Sequence, residues 1–563
     1  MKEKLRRSGV KIAAGLAALL GSLSFVMVAA VVNGALGFFA AMGVTVFASL
    51  GVAKALGETV ALSYGAIAAA AVACGVLRGV LRYFEQYGNH YIAFKLLAVL
   101  RDRIFSALRL LAPAKTEGRQ KGNLIAMITS DIETLEVFYA HTVSPICIAA
   151  VVSVSVFLFV GLTASWYLAL TALIGYVVIG IASPLRASAK LKAGGVNYRR
   201  GFASFNAFFL DSIKGIREIV LNNGGEEREK EGNRRSEDLL KETEKMKNSV
   251  AKNSAAVELL ISLFIIASFA VGVLLVSEGT LSLGRMIIGV TAVFGSFGPV
   301  TALSALPGNL TQTFACGDRV LNLLEEQPAV QPVIGGKTFR FDRVNVDRLS
   351  FAYNDEAEIL KEICLNAKKG EIIGIVGKSG CGKSTLLKLL MRFREKNSGR
   401  IDYNETEIGE IDSVNLADNV TMVPQNVWLF DETVEENLRI AKPDATAEEL
   451  EAACRAAAIH ERIVSLPDGY RTRVGFGGSR LSAGEKQRLG VARAFLRGSG
   501  LILLDEPTGN IDSLNEGILL KSLVNAKKDK CIILVSHRES TMSIADRIYR
   551  LENHRLHEGG ENG

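Results

Sequence analysis

Glu371–Leu390 reads EIIGIVGKSGCGKSTLLKLL. Five apolar or small residues, Ile372–Val376, have the length and β-branched content of a strand. The glycine-rich turn Gly377–Gly382 follows, and a leucine-rich helical pattern opens at Lys383. The spacing G-x-x-x-x-G-K-S, set between a strand and a helix, is a phosphate cradle: glycines let backbone N–H groups turn toward phosphate oxygens, and the helix N-terminus adds partial positive charge. Gly377, Ser379, Gly380, Cys381, Gly382 and Thr385 are therefore expected around a bound nucleotide. Lys383 is expected to reach its β and γ phosphates, and the Ser384 hydroxyl to ligate Mg2+.

A second strand, LILLDEPT (Leu501–Thr508), ends in two carboxylates at the edge where open α/β sheets bind ligands. Asp505 suits the Mg2+ shell and Glu506 the activation of an attacking water. From about 335 to 563 short apolar runs alternate with amphipathic helices, as in an α/β domain with a parallel or mixed sheet.

Upstream the pattern changes. The chain has 563 residues, too many for one core, and is 49% hydrophobic yet 22% charged. That combination predicts two unlike halves and excludes collagen-like, Pro-rich and polar disordered chains. Ile12 to Ala53 carries no charge, far too long for a signal peptide core. A short amphipathic helix and then six apolar segments are expected, near 22–50, 58–84, 138–161, 164–184, 256–276 and 283–303, each close to the roughly 20 residues that cross a bilayer.

The short links between segments hold one basic residue, Lys54. The long links hold Arg101, Arg103, Arg109, Lys115, Arg119 and Lys121, then a charged run from Lys190 to Lys252. By the positive-inside rule these links, the N-terminus (Lys2, Lys4, Arg6, Arg7) and everything after the sixth span are cytoplasmic. In the charged run, Phe205, Phe209, Ile213, Ile216, Ile219, Val220, Leu239 and Leu240 recur at near-helical spacing, so the links are expected to be helical extensions. Trp166 and Tyr167 read as interfacial anchors. The net charge of +7 then reflects topology rather than nucleic-acid binding. Seven cysteines without C-x-x-C pairs read as free thiols, not disulfides or a zinc site.

With LSAGEKQRL (Leu481–Leu489) between the two strands, the ordered motifs resemble an ATP-binding cassette transporter of the exporter-type half-transporter group. The resemblance covers essentially the whole chain. It implies a transmembrane domain over 1–316, a linker over 317–336 and an ATP-binding domain over 337–563, in a bacterial plasma membrane. Tyr353 in FAYND corresponds to the aromatic that stacks on adenine, and Gln425 in VPQNVWLF to the glutamine touching Mg2+ and water. His537 in LVSHR corresponds to the histidine that contacts the γ-phosphate and supports Glu506, and Gly509–Asp512 to the loop crossing to the other nucleotide domain. Ser482 and Gly484 would act in trans on ATP held by a second chain. Here the family pattern LSGGQ is altered to LSAGE at Ala483 and Glu485.

The stretch from Arg78 to Ala114, with Gly118–Ile146, also resembles the CydC subunit group of thiol reductant exporters. That implies a CydD-like heterodimer partner, with a homodimer as the alternative, and export of cysteine or glutathione or a haem-related role in cytochrome bd assembly. In that group a histidine proposed as a haem contact stands at the position of His90, and arginine at the position of Gln86. A lipid, peptide or drug exporter, or a membrane-anchored ATPase regulator that moves no solute, are the competing readings. The spans offer few charges that would select a polar substrate.

Overall fold

The computed structural model describes residues 7–117, 121–304, 306–353, 357–509 and 511–559. Lys2, Lys4, Arg6, Arg119 and Asn510 of the sequence reading lie outside them. The chain divides into two compact units, one comprising Lys2–Leu110 and Arg119–Glu326, the other Leu111–Gly118 and Gln327–Gly563.

Among the described residues, six helices in the first unit are long and apolar enough to cross a membrane: Ser24–Ala55, Tyr64–Leu111, Gly122–Thr163, Trp166–Ala187, Gly225–Ser277 and Leu283–Ser304, numbered here spans 1 to 6. A short helix, Gly9–Ala18, precedes them, capped by the Ser8 hydroxyl. Span 2 begins at Tyr64, later than the expected 58, because Gly57–Ser63 closes the preceding turn instead. It then runs on through its charged residues. Span 5 has 53 residues, about 80 Å of helix at 1.5 Å per residue, so its charged first half projects well past a roughly 30 Å hydrocarbon layer. The expected helical extensions are present, but Phe209, Ile213, Ile216, Val220 and Leu240 along them are exposed.

Within this unit polar side chains tie the apolar helices together. The Tyr176 hydroxyl donates to Ser296 Oγ at 2.5 Å, and the hydroxyls of Thr171 and Ser268 lie 2.9 Å apart. Lacking water, such groups need each other. Trp166 is half-exposed, as an interfacial anchor would be. Its ring also packs where a Cβ on Gly161 would come within 2.5 Å, which makes the turn at Ala164–Ser165 tight. Spans 3 and 4 contain π-helical turns at Met127–Asp131, Tyr139–Val143 and Val178–Ala182.

The second unit holds ten strands: β1 (Arg343–Ala352), β2 (Glu358–Lys368), β3 (Ile372–Gly377), β4 (Ser398–Tyr403), β5 (Thr406–Glu407), β6 (Val420–Val423), β7 (Leu501–Asp505), β8 (Cys531–Val535), β9 (Arg547–Glu552) and β10 (Arg555–Glu558). An antiparallel sheet has the order β2-β1-β4-β5, and a second sheet the order β10-β9-β3-β8-β7-β6, parallel from β9 to β6. Strands β7 and β8 are buried at every position, as their continuous apolar runs require of a central parallel pair. The expected linker 317–336 needs correction: the helix Leu306–Leu324 runs into it as far as Leu324, because Val320, Leu321 and Leu323 are buried on one face of that helix.

Leu503, fully buried at the centre of β7, has no room to be replaced by solvent. Leu503→Ala is expected to cost about 2–5 kcal/mol, read as a lowered thermal melting midpoint of the purified chain.

Candidate active site

The parallel sheet places its functional residues at one edge. Gly377 ends β3, Asp505 ends β7, His537 lies two residues past β8 and Gln425 two past β6. This is the carboxyl edge where an open α/β sheet binds its ligand.

The loop after β3 turns through Gly380 (φ +81) and Gly382 (φ +110). A Cβ at Gly382 would meet Ile359 Cγ2 at 2.8 Å, and one at Gly377 the Leu551 carbonyl oxygen at 2.6 Å, so both positions need glycine. Ser379 and Gly380 are exposed at the rim, while Gly382, Lys383 and Thr385 are buried and Ser384 half-buried. Lys383 Nζ lies inside the loop, donating to the carbonyls of Gly377 (2.7 Å) and Lys378 (2.9 Å).

Asp505 is 6% exposed. Burial holds its carboxyl above the usual carboxylate range, against the Ser384 hydroxyl that donates to it and the Lys388 and Lys383 ammonium groups. Glu506 follows at φ +51, a conformation few non-glycine residues adopt, with its N–H donating to the Val535 carbonyl at 2.9 Å. That backbone turn presents its carboxylate to two of the residues expected beside it. Gln425 Nε2 donates to Oε2 at 2.8 Å, and His537 Nδ1 lies 3.3 Å from Oε1.

Tyr353 stands beside the same loop, its hydroxyl 3.1 Å from Thr385 Oγ1. Phe351 meets its ring edge-on, and the Arg394 guanidinium lies 4.5 Å from the ring centroid. Arg394 also donates to the Ala114 carbonyl at 2.8 Å. Nothing in the sequence motifs pointed to Arg394, which lies between the cradle helix and β4.

Ser482 and Gly484 line a separate cavity of about 580 Å3 with Arg462, Glu485, Arg488 and Asp512, and no residue of the glycine loop borders it. Ser482 caps the helix Ala483–Arg497 in a reciprocal box with Glu485: the Ser482 hydroxyl accepts from the Glu485 N–H, and the carboxylate accepts from the Ser482 N–H. Burial raises the Glu485 carboxyl, but the Ser482 amide and the Arg462 guanidinium, 2.7 Å away, outweigh it and leave it below the ordinary range. The negative charge of LSAGE is thus offset locally by a residue 23 positions upstream. Arg488, 7% exposed, has its Nε buried and without a partner among the described residues.

The family described as ABC transporter matches residues 360–509, and the ABC transporter transmembrane region matches 23–300. A probable ABC transporter ATP-binding/permease protein of Haemophilus influenzae is 44% identical over 553 residues, 98% of this chain and 100% of the relative. The chain belongs to the ABC transporter family. A putative multidrug export ATP-binding/permease protein of Bacillus subtilis, YgaD, is 30% identical over 85% of this chain and 83% of that protein. The structure of a bacterial Atm1-family ABC exporter with ATP bound shares the fold, with TM-score 0.81 at 24% identity over 96% of both chains.

This ABC transporter joins a multi-pass membrane domain to an ATP-binding domain in the fold of that exporter structure. Its ABC ATP-binding domain implies ATP hydrolysis by the transporter. ATP and Mg2+ come with the family, and the residues fit both. The cradle leaves no space for a Cβ at Gly377 or Gly382, and Ser384 and Asp505, hydrogen-bonded to each other, are hard oxygen donors of the kind Mg2+ takes.

Cys454 and Cys531 are buried, and burial pushes their thiols up to about 11 and about 12; Cys364 is exposed and Cys381 partly so. Maleimide is expected to modify Cys364 and Cys381 and spare Cys454 and Cys531, with ATP protecting Cys381 alone; peptide mass mapping reads this. Arg462→Ala should lower ATP turnover by roughly fivefold, about the value of an exposed ion pair, and adding Glu485→Gln should restore it.

Proposed function

We propose that two such chains, or one with a CydD-like partner, hydrolyse ATP at a shared interface in a bacterial plasma membrane to export a small polar solute. The ATPase domains are cytoplasmic in this reading, since the basic links and N-terminus mark that side. The convergence of Gln425 and His537 on Glu506 carries the assignment of the reaction site. Glu506 takes the proton of the attacking water, His537 holds the carboxylate in position and faces the γ-phosphate, and Gln425 orients the water. Lys383 and the loop amides from Ser379 to Thr385 hold the phosphates. Ser384, Asp505 and Gln425 would hold Mg2+, which would supply charge neutralisation for the phosphates. Tyr353 offers adenine the ring face opposite Arg394.

Ser482 and Gly484, set in their own cavity, serve ATP bound by the other chain. The exposed apolar residues along the helical extensions support the same conclusion, because a monomer gains nothing from such a stripe.

For the solute, a cavity of about 410 Å3 within the spans supports a polar reading. Arg82, Glu85, Gln86 and His141 line it. Glu85 is 4% exposed, and Arg82 Nη1 donates to both its carboxylate oxygens at 2.8 and 2.6 Å. The expected segment 58–84 ends between these two residues, while the helix of span 2 continues through both. Groups of both signs in a confined site favour a solute that carries both, such as cysteine or glutathione, over a neutral lipid. The multidrug names of the 30% identical relatives favour the second reading, an amphipathic drug. His90 stacks on Phe94 and lies 3.5 Å from Glu136 and beside His141. Its ring is engaged by protein, so haem enters no step of this proposal.

Glu506→Gln is expected to lower ATP turnover at least about 100-fold while ATP binding persists, measured on the reconstituted dimer. In inverted proteoliposomes, ATP-dependent uptake of labelled cysteine or glutathione is expected, with loss in Glu85→Gln. Uptake of a lipophilic dye alone would establish the drug reading.

A further inference from the structure

Spans 4 and 5 enclose a second cavity of about 390 Å3 at the end where both become charged. Span 4 lines it with Val178, Ala182, Ser183, Arg186 and Ala187. Span 5 lines it with Ser249, Lys252, Asn253, Ala256 and Leu260. Steps of three, four and seven residues put each set on one helix face. The chain reaches the cavity at Val178 and leaves at Ala187, then returns from Ser249 to Leu260. The cations therefore lie toward the charged extensions, and Val178 and Leu260 toward the apolar layer. Small residues at 182, 187 and 256 leave the space between the helices. The π turn Val178–Ala182 forms part of the wall, a helix irregularity that often accompanies function.

Neither Arg186 nor Lys252 makes an ion pair or hydrogen bond with another described residue, and among the described residues no acidic side chain lines the cavity. Two unpaired cations facing one space at the membrane boundary repel each other unless an anion joins them. We propose that this cavity binds the phosphate headgroup of an acidic phospholipid from the cytoplasmic leaflet, with an acyl chain over Val178 and Leu260. The leaflet rests on the cytoplasmic orientation given above. Ser183 and Asn253 add hydrogen-bond donors for the phosphate oxygens. A zwitterionic headgroup brings its own ammonium against Arg186 and Lys252 and is disfavoured by the same charges.

The test uses the full-length chain, with its partner where turnover requires one, in nanodiscs of phosphatidylcholine with or without phosphatidylglycerol. Bound phosphatidylglycerol is read by native mass spectrometry and ATP turnover in parallel. The double variant Arg186→Gln, Lys252→Gln is expected to bind phosphatidylglycerol roughly 30-fold more weakly, each juxtamembrane cation contributing about fivefold. Ala256→Leu, which fills the floor and leaves the charge alone, is expected to weaken it as well. Turnover in pure phosphatidylcholine discs should match the parent chain, and it reports the ATPase assignment separately from lipid binding. Unchanged phosphatidylglycerol binding in both variants would overturn the proposal. So would displacement of the lipid by equimolar glycerol 3-phosphate, which would assign the cavity to a soluble anion.

Discussion

A carboxylate buried at the end of a β-strand is costly until cations surround it, and the arrangement at the end of β7 is governed by that cost. Asp505 is almost fully enclosed, and the groups that oppose its burial are the Ser384 hydroxyl and two lysines from the loop and helix after β3. The parallel pairing of β7 with β8, and of β8 with β3, brings these elements to a common edge. Glu506, one residue further, escapes the strand only by taking a positive φ, which turns its carboxylate toward Gln425 and His537. Two adjacent acids thus acquire different surroundings, one beside lysines and a hydroxyl, the other beside an amide and an imidazole.

The same reasoning explains the altered signature sequence. Glutamate in place of glutamine adds a charge where phosphate is expected, yet the charge is engaged twice, by the N-terminus of its own helix and by Arg462. In the membrane unit, polar groups follow a similar rule at lower dielectric: Tyr176 finds Ser296, Thr171 finds Ser268, and Glu85 finds Arg82.

The fold was largely legible because its signals are local. Six apolar runs, a strand followed by a glycine loop, and a strand leading into two acids are each contained within about twenty residues, and each is present, with span 2 starting six residues later than expected and β7 ending at the first of the two acids. What escaped was set by distant partners. Arg462 and Arg394 carry no motif, and only the fold brings them to Glu485 and Tyr353. The Arg82–Glu85 pair was missed for a different reason: the expected segment 58–84 ends between the two residues, while the helix of span 2 continues through both. The linker was misplaced because a charge-bearing amphipathic helix, Leu306–Leu324, resembles a connector in composition while burying one face.

The π turns of spans 3 and 4 have a consequence for how such a membrane unit can change over evolution. Each holds one residue more than the α pitch needs, so it amounts to an insertion tolerated inside a continuous helix. Gaining or losing one such residue turns everything beyond it by about 100° without breaking the backbone hydrogen bonding that hydrocarbon demands. His141 lies within one of these turns and Arg186 just beyond another. A single-codon insertion or deletion at these turns would re-aim such side chains relative to their cavities, altering what is recognised by changing length rather than chemistry.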